Sequence, residues 1–264
     1  MTQSPSWMDE LGPIVDHPDW KRPEPTVITG QYCRLEPLDM DKHGPDLWAQ
    51  MAVSAVLRCG QKIGRGRLMA VSDPEYRQWM YLAGMGPFEG PQDFYDDWTS
   101  YANKVDNLTY VVIPTDPLSD LPSVPTGQFS FLRIRPEAGS IEVGFVRFPP
   151  QMARSRASTE AQYLLMRHVF DDLKYRRYEW KCNDANAPSM TTAARLGFTF
   201  EGTFRLDQIN HGRNRNTAWW SVVEDEWPLN KAAFEAWLDA GNFDEKGQQK
   251  RSLTQVRATL LAED

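Results

Sequence analysis

The chain has 264 residues, 41% of them apolar, and a formal charge of −7. That is ample material for the core of one large domain with extensions, and ten tryptophans exclude disorder throughout. The acidic balance speaks against a general nucleic-acid binder.

Residues 1–29 hold five prolines and no hydrophobic period, and read as an irregular arm. The alternation over 31–38 predicts a first strand. Leu47, Trp48, Met51, Ala52 and Ala55 predict a helix over 46–57, starting after Gly44-Pro45. Residues 58–90 are rich in glycine and charge around a short helical piece at 73–82, and 91–105 places Phe94, Trp98 and Tyr101 on one helical face. The period then changes. Residues 108–113 read as a strand, 114–126 as a loop with four prolines, and 127–135 and 140–147 as a hairpin. A helix over 158–173, a strand over 178–183 and a helix over 187–196 come next. A closing hairpin over 198–208 and 217–226 follows, then a 229–264 tail with helices at 231–240 and 253–261. Antiparallel strands followed by strand–helix–strand–helix predict a mixed α/β (α+β) architecture, a largely antiparallel sheet with helices on both faces.

The chemistry-bearing stretch runs from Ile141 to Gly202. An apolar strand with one acid, Glu142, leads into Arg154-Ser155-Arg156-Ala157-Ser158-Thr159-Glu160-Ala161, a small basic turn that opens a helix. Unpaired N–H groups and the positive dipole end make a helix start a seat for phosphate. Between Arg147 and Lys181, eight Lys/Arg face four acids, a +4 island that leaves −11 for the rest of the chain. Such an island suits a small polyanionic ligand or, alternatively, is a solvated face. Asn186-Ala187-Pro188-Ser189 and Leu196-Gly197-Phe198 bracket the next helix, with Asn186 at the N-cap position.

This order resembles the core of the GNAT N-acetyltransferases, in its RimJ/RimL-type branch, over residues 30–228. The resemblance implies a fold with a V-shaped split between two parallel strands, here near Glu142–Val146 and Tyr178–Asn183, where acetyl-coenzyme A binds as co-substrate. It implies cofactor contacts from Phe145, Val146, Arg147, Arg154, Ser155, Arg156, Ala157, Ser158, Asn186 and Ser189. A backbone N–H of Phe145 or Val146 would face the thioester oxygen. The family's pattern Gln/Arg-x-x-Gly-x-Gly/Ala falls on Ala153, Arg156 and Ser158, with no glycine. An ordinary turn is therefore expected, with Arg154 and Arg156 supplying charge. The tyrosine that many members carry seven residues after the asparagine is Ala193 here, which leaves Ser189 as a donor to the cofactor sulfur.

The resemblance also places Glu142 as the base that takes a proton from an attacking amine. If buried beside the cleft it would hold protons more tightly; the alternative is an exposed strand acid. Cys182 borders the cleft, as an inert buried thiol or an acyl carrier. Glu201-Gly202, Arg205 and Trp227 read as structural. Three cysteines without CxxC spacing fit a reducing compartment, and four histidines show no metal spacing, so no metal is expected. Without an N-terminal apolar h-region or an apolar run of about 18 residues, a soluble cytoplasmic protein is expected, with no membrane partner. Specificity is expected from residues 57–104 and a hairpin loop at 207–216.

The expected function is transfer of the acetyl group of acetyl-coenzyme A to a primary amine of a small molecule, by a monomer or homodimer. The alternatives are a RimJ/RimL-type acetyltransferase of protein or peptide N-termini and a non-catalytic acyl-coenzyme A scaffold.

Overall fold

The computed structural model describes residues 12–15, 19–53, 79–82, 85, 88 and 90–263. Eight strands form one sheet: β1 Ile28–Thr29, β2 Cys33–Pro37, β3 Leu108–Pro114, β4 Gly127–Arg135, β5 Ser140–Arg147, β6 Arg177–Asn183, β7 Thr199–Asn210 and β8 Arg213–Val223. Their spatial order is β1-β2-β3-β4-β5-β6-β8-β7. All neighbours are antiparallel except β5 and β6, which run parallel. Parallel neighbours need a crossover, and helix α3 (Arg156–Arg167) supplies it. The other helices are α1 Met40–Val53, α2 Pro91–Ala102, α4 Ala187–Leu196, α5 Trp227–Leu238 and α6 Leu253–Glu263.

The alternation of β3 and its neighbours feeds two hydrophobic clusters, one per sheet face. The larger joins Tyr110, Phe129 and Phe131 to Leu164 and Leu165 of α3 and Phe234 of α5. The smaller joins Val111 and Ile113 to Leu47 of α1 and to Phe94 and Trp98 of α2. The arm and the tail share the larger cluster: Trp20 is buried in it and donates its indole N–H to the Lys174 carbonyl at 2.7 Å. Asn230 of α5 donates to the Gly197 carbonyl and accepts from Arg257 of α6, so the tail caps the end of α4.

Two elements differ from the sequence reading. Helix α1 begins at Met40, because the Asp39 carboxylate accepts from the N–H groups of Asp41 and Lys42 at 3.0 and 3.2 Å and nucleates the first turn. Pro45 is carried inside the helix, one turn in, where its missing N–H forfeits a single bond. The expected hairpin loop at 207–216 is mostly strand. Only His211 and Gly212 turn the chain, both at positive φ (50° and 69°), as a two-residue hairpin with right-handed twist requires. The rest of the expected helix 46–57, past Val53, and residues 73–78 of the piece at 73–82 lie outside the described residues; 79–82 form a turn.

Candidate active site

Register explains the cleft. Strands β5 and β6 pair from Ser140↔Arg177 to Val143↔Trp180 and no further. On its other side β5 carries a bulge: Gly144 pairs with Ser130 and Arg147 with Gln128, which leaves Phe145 and Val146 together opposite Phe129. Phe145 sits at φ 53°, a conformation that a bulky side chain rarely adopts. It is held there by stacking on Tyr101 of α2, with ring centroids 3.7 Å apart. Two residues therefore lack a ladder partner on either side among the described residues. Both residues are half-buried, and an extended amide chain can pair with their open backbone groups as an added strand would.

The parting opens a cleft of about 500 Å³. Its walls bring together Glu142, Phe145, Val146, Asn186 and Ser189. Asn186 caps α4, its side-chain oxygen accepting from the Ser189 N–H at 3.3 Å. The Ser189 hydroxyl accepts from the Trp180 indole N–H at 3.0 Å, which leaves its own proton to donate. Burial pushes the Cys182 thiol up, the wrong direction for a nucleophilic thiolate.

Glu142 is buried, but it does not stand alone. Its Oε2 accepts from Arg133 at 2.7 Å and lies 2.9 Å from Lys181 Nζ. Lys181 also pairs with Glu179 at 2.7 Å and packs its ammonium 3.7 Å from the Trp219 ring centre. For Glu179, burial works to raise the pKa, yet Lys181 and Arg177 outweigh it and hold the carboxyl below its ordinary value. Arg177 continues the chain of charges to Glu201. The sequence signal for this network was there: Arg177, Glu179 and Lys181 alternate with apolar residues along β6, so all three share one sheet face. What they would meet across β5 was not in the strand pattern. Tyr101 also lines the cleft, and burial pushes its phenol well above the ordinary range.

The remaining expected cofactor residues lie outside the cleft lining, at and after the end of β5. Arg147 is buried with its guanidinium 3.4 Å from the Trp79 ring centre. Arg154 is exposed and occupies the left-handed region (φ 63°), so the turn is not ordinary even without glycine. Ser155 caps α3 by accepting from the Ser158 N–H at 3.0 Å, and the Ser158 hydroxyl donates back to the Ser155 carbonyl. Arg156 departs from the sequence reading: its guanidinium is buried, forks onto both oxygens of Asp116, and lies 4.4 Å from the Tyr32 ring centre. Of the two expected phosphate-facing guanidinium groups, only that of Arg154 reaches solvent. The backbone fits a phosphate better. The N–H groups of Arg156 and Ala157, in the first turn of α3, have no acceptor among the described residues although both residues are buried. Glu160, one turn on, binds the chain rather than a ligand: it accepts from the N–H groups of Gln31, Tyr32 and Cys33 at 2.6–2.8 Å.

Among the described residues no group of three or more His, Cys, Asp or Glu side chains is placed to hold a metal, and no helix is long and apolar enough to cross a membrane.

A sheet parted between two parallel strands, with a helix start beyond one of them, is the arrangement that the resemblance to the GNAT acetyltransferases implied. The sequence profile described as "Acetyltransferase (GNAT) domain" matches residues 49–199. A GCN5-related N-acetyltransferase from Brucella melitensis is 38% identical, with a TM-score of 0.77 over 90% of this chain and 96% of that one. A GNAT-family chain from Chromobacterium violaceum is 29% identical, with a TM-score of 0.66 over 86% and 99%. An acetyltransferase from Salmonella typhimurium that modifies the N-terminal serine of ribosomal protein L7/L12 shares the fold at 15% identity (TM-score 0.54, 75% and 99% covered). Among curated proteins, none matches the chain. The chain belongs to the GNAT acetyltransferase family. It is an acyltransferase, and members of this family use acetyl-coenzyme A as co-substrate.

Proposed function

We propose that the protein moves the acetyl group of acetyl-coenzyme A to the primary amine of a small molecule, by direct attack in a ternary complex. The observation that carries this reading is the parting of β5 from β6 after Val143, with Glu142 and Ser189 both in the wall of the resulting cleft. In this reading the pantetheine arm pairs with the open backbone of Phe145 and Val146. The diphosphate meets the free N–H groups of Arg156 and Ala157, with Arg154 beside them. Arg147, Ser155 and Ser158 act here by shaping and capping the turn.

The amine nitrogen attacks the thioester carbon. A C–N bond forms, and the oxyanion is met by a backbone N–H of Phe145 or Val146. Glu142 takes the proton that the amine loses. Arg133 and Lys181 fix its Oε2, which orients the carboxylate without a flexible search. The C–S bond then breaks, and the Ser189 hydroxyl donates toward the departing thiolate, with Asn186 holding the start of α4 in place. A small acceptor is supported by the Tyr81 hydroxyl, which donates to the Ala185 carbonyl at 3.0 Å and ties the segment 79–82 to the loop before α4. Tyr81 itself stands in the cleft wall.

A second reading, RimJ/RimL-type acetylation of a peptide N-terminus, draws support from a neighbouring cavity of about 680 Å³. It shares Tyr81 and Asn183 with the cleft and could receive following residues. Thiol release from acetyl-coenzyme A with a panel of amines and peptides separates the two readings. Glu142→Gln is expected to lower kcat at least about 100-fold with acetyl-coenzyme A binding intact. Unchanged turnover in that variant would remove Glu142 from the chemistry.

A further inference from the structure

Among the described residues four cations line the cleft, and they are not equivalent. Arg133 and Lys181 both answer to Glu142, and Lys181 to Glu179 as well. Lys104, past the end of α2, has its ammonium 5.2 Å from the Tyr101 ring centre. Arg215 on β8 has neither a carboxylate nor any hydrogen-bond partner among the described residues, although its Nε is buried. A buried guanidinium nitrogen without an acceptor is costly, and native proteins rarely leave one so.

Its position says what it faces. Side chains alternate along a strand, so Arg215, Thr217 and Trp219 project from one face of β8. That face is fixed by Trp219, whose ring carries Lys181 Nζ at 3.7 Å. Arg215 therefore stands on the same side of the sheet as the Glu142–Lys181 pair. Its register partner on β7, Gln208, lines the cleft too and adds an amide donor. The cofactor diphosphate does not account for this charge, because the turn at 153–158 contributes nothing to the cleft lining.

We propose that Arg215 binds an anionic group, a carboxylate or a phosphate, on the amine acceptor. This rests on the reading of the cleft as the site of amine acetylation, and it names the acceptor class: amines that also carry an anion. The planar fork of a guanidinium matches two oxygens of either group. The exposed Asp97, also in the cleft wall, supplies the opposite charge for the ammonium form as it enters, so the cleft suits a zwitterion.

The test uses matched acceptors: amino acids against their carboxamides and decarboxylated amines, and an aminoalkyl phosphate against the corresponding amino alcohol. Thiol release and calorimetric binding in the presence of coenzyme A are measured for each. The wild-type protein is expected to prefer the anionic member of a pair at least about tenfold. Arg215→Gln should raise KM for that member about 10- to 100-fold while leaving the KM for acetyl-coenzyme A and the turnover of neutral amines unchanged. Arg215→Lys should restore part of the loss. The carboxylate and phosphate arms identify which anion is read. Equal binding and turnover of charged and neutral members overturns the proposal, as does an equal loss for both in Arg215→Gln. Absence of thiol release with every acceptor counts against the transferase reading instead; the calorimetric preference, and its loss in Arg215→Gln, still decide this proposal.

Discussion

The turn after β5 and the sheet face across β5, β6 and β8 are both rich in charge, and they use it in opposite ways. In the turn, Arg156 is buried on Asp116, Ser155 caps its own helix, and Glu160 gathers three N–H groups of the entering strand. Its charged side chains hold the fold, and only backbone and Arg154 are left for a ligand. On the sheet face, Glu142 and Lys181 form a buried pair at the cleft wall, and Arg215, on the same face, has no hydrogen-bond partner among the described residues. A basic cluster in a sequence is thus no measure of basic charge at a site; what matters is which cations have already met a carboxylate.

The contrast breaks most sharply at Arg156. Arg156→Ala leaves the Asp116 carboxylate buried and alone, and is expected to cost about 3–5 kcal/mol of stability. Replacing both, with Asp116→Leu and Arg156→Met, should cost far less. Denaturant titration reads both. If Arg156→Ala instead left stability untouched and weakened only acetyl-coenzyme A binding, the division between the two regions would be wrong.

A smaller effect is expected at Arg154, the exposed cation of the turn. Arg154→Ala should weaken acetyl-coenzyme A binding about tenfold in calorimetry, through loss of a charge-assisted contact, with the thermal midpoint little changed. Stronger binding or no change would leave the phosphate contact to the backbone alone.

The smallest effect sharpens the comparison at a third charged cluster, away from both regions. The Glu36 carboxyl is held down to about 2 by Lys42 first, with Arg34 and His43 adding to it against the opposing pull of burial. A folded-state value below the ordinary 4.5 means stabilisation that is complete above about pH 4.5 and lost as pH falls toward 2. Because Lys42 is largely and Arg34 partly solvent-exposed, the contribution is about 1 kcal/mol. Glu36→Gln should therefore be less stable than wild type at pH 7 and indistinguishable from it near pH 2. A stability difference that persisted there would point to packing rather than charge.

Much of the fold was legible because local signals agreed. The periods of α2, α4 and β3 to β6, the prolines of 114–126 and the turn at 136–139 each named their element within a few residues. The start of α1 was misread because Gly44-Pro45 reads as a boundary on paper, whereas in the chain the Asp39 carboxylate caps the helix from Met40 onward. In the cleft, Glu142, Phe145, Val146, Asn186 and Ser189 were placed by motif, and the structure brings them together. Tyr101 was placed on the apolar face of its helix and within the broad specificity region 57–104, without a role of its own in the cleft. Lys181 was counted only as part of a basic island. Arg215 fell within the hairpin loop at 207–216 from which specificity was expected, without a role of its own.

The order of elements, the alternation of apolar and charged residues, and the helix start after β5 belong to the sequence itself, because they depend on neighbours a few residues apart. Which arginine is neutralised, where β5 leaves β6, and which cation faces the cleft depend on residues that lie far apart in sequence. Arg156 meets Asp116, and Lys181 meets both Glu142 and Trp219. Only packing of the sheet and its helices decides such pairings, since no local preference of the chain distinguishes one distant carboxylate from another.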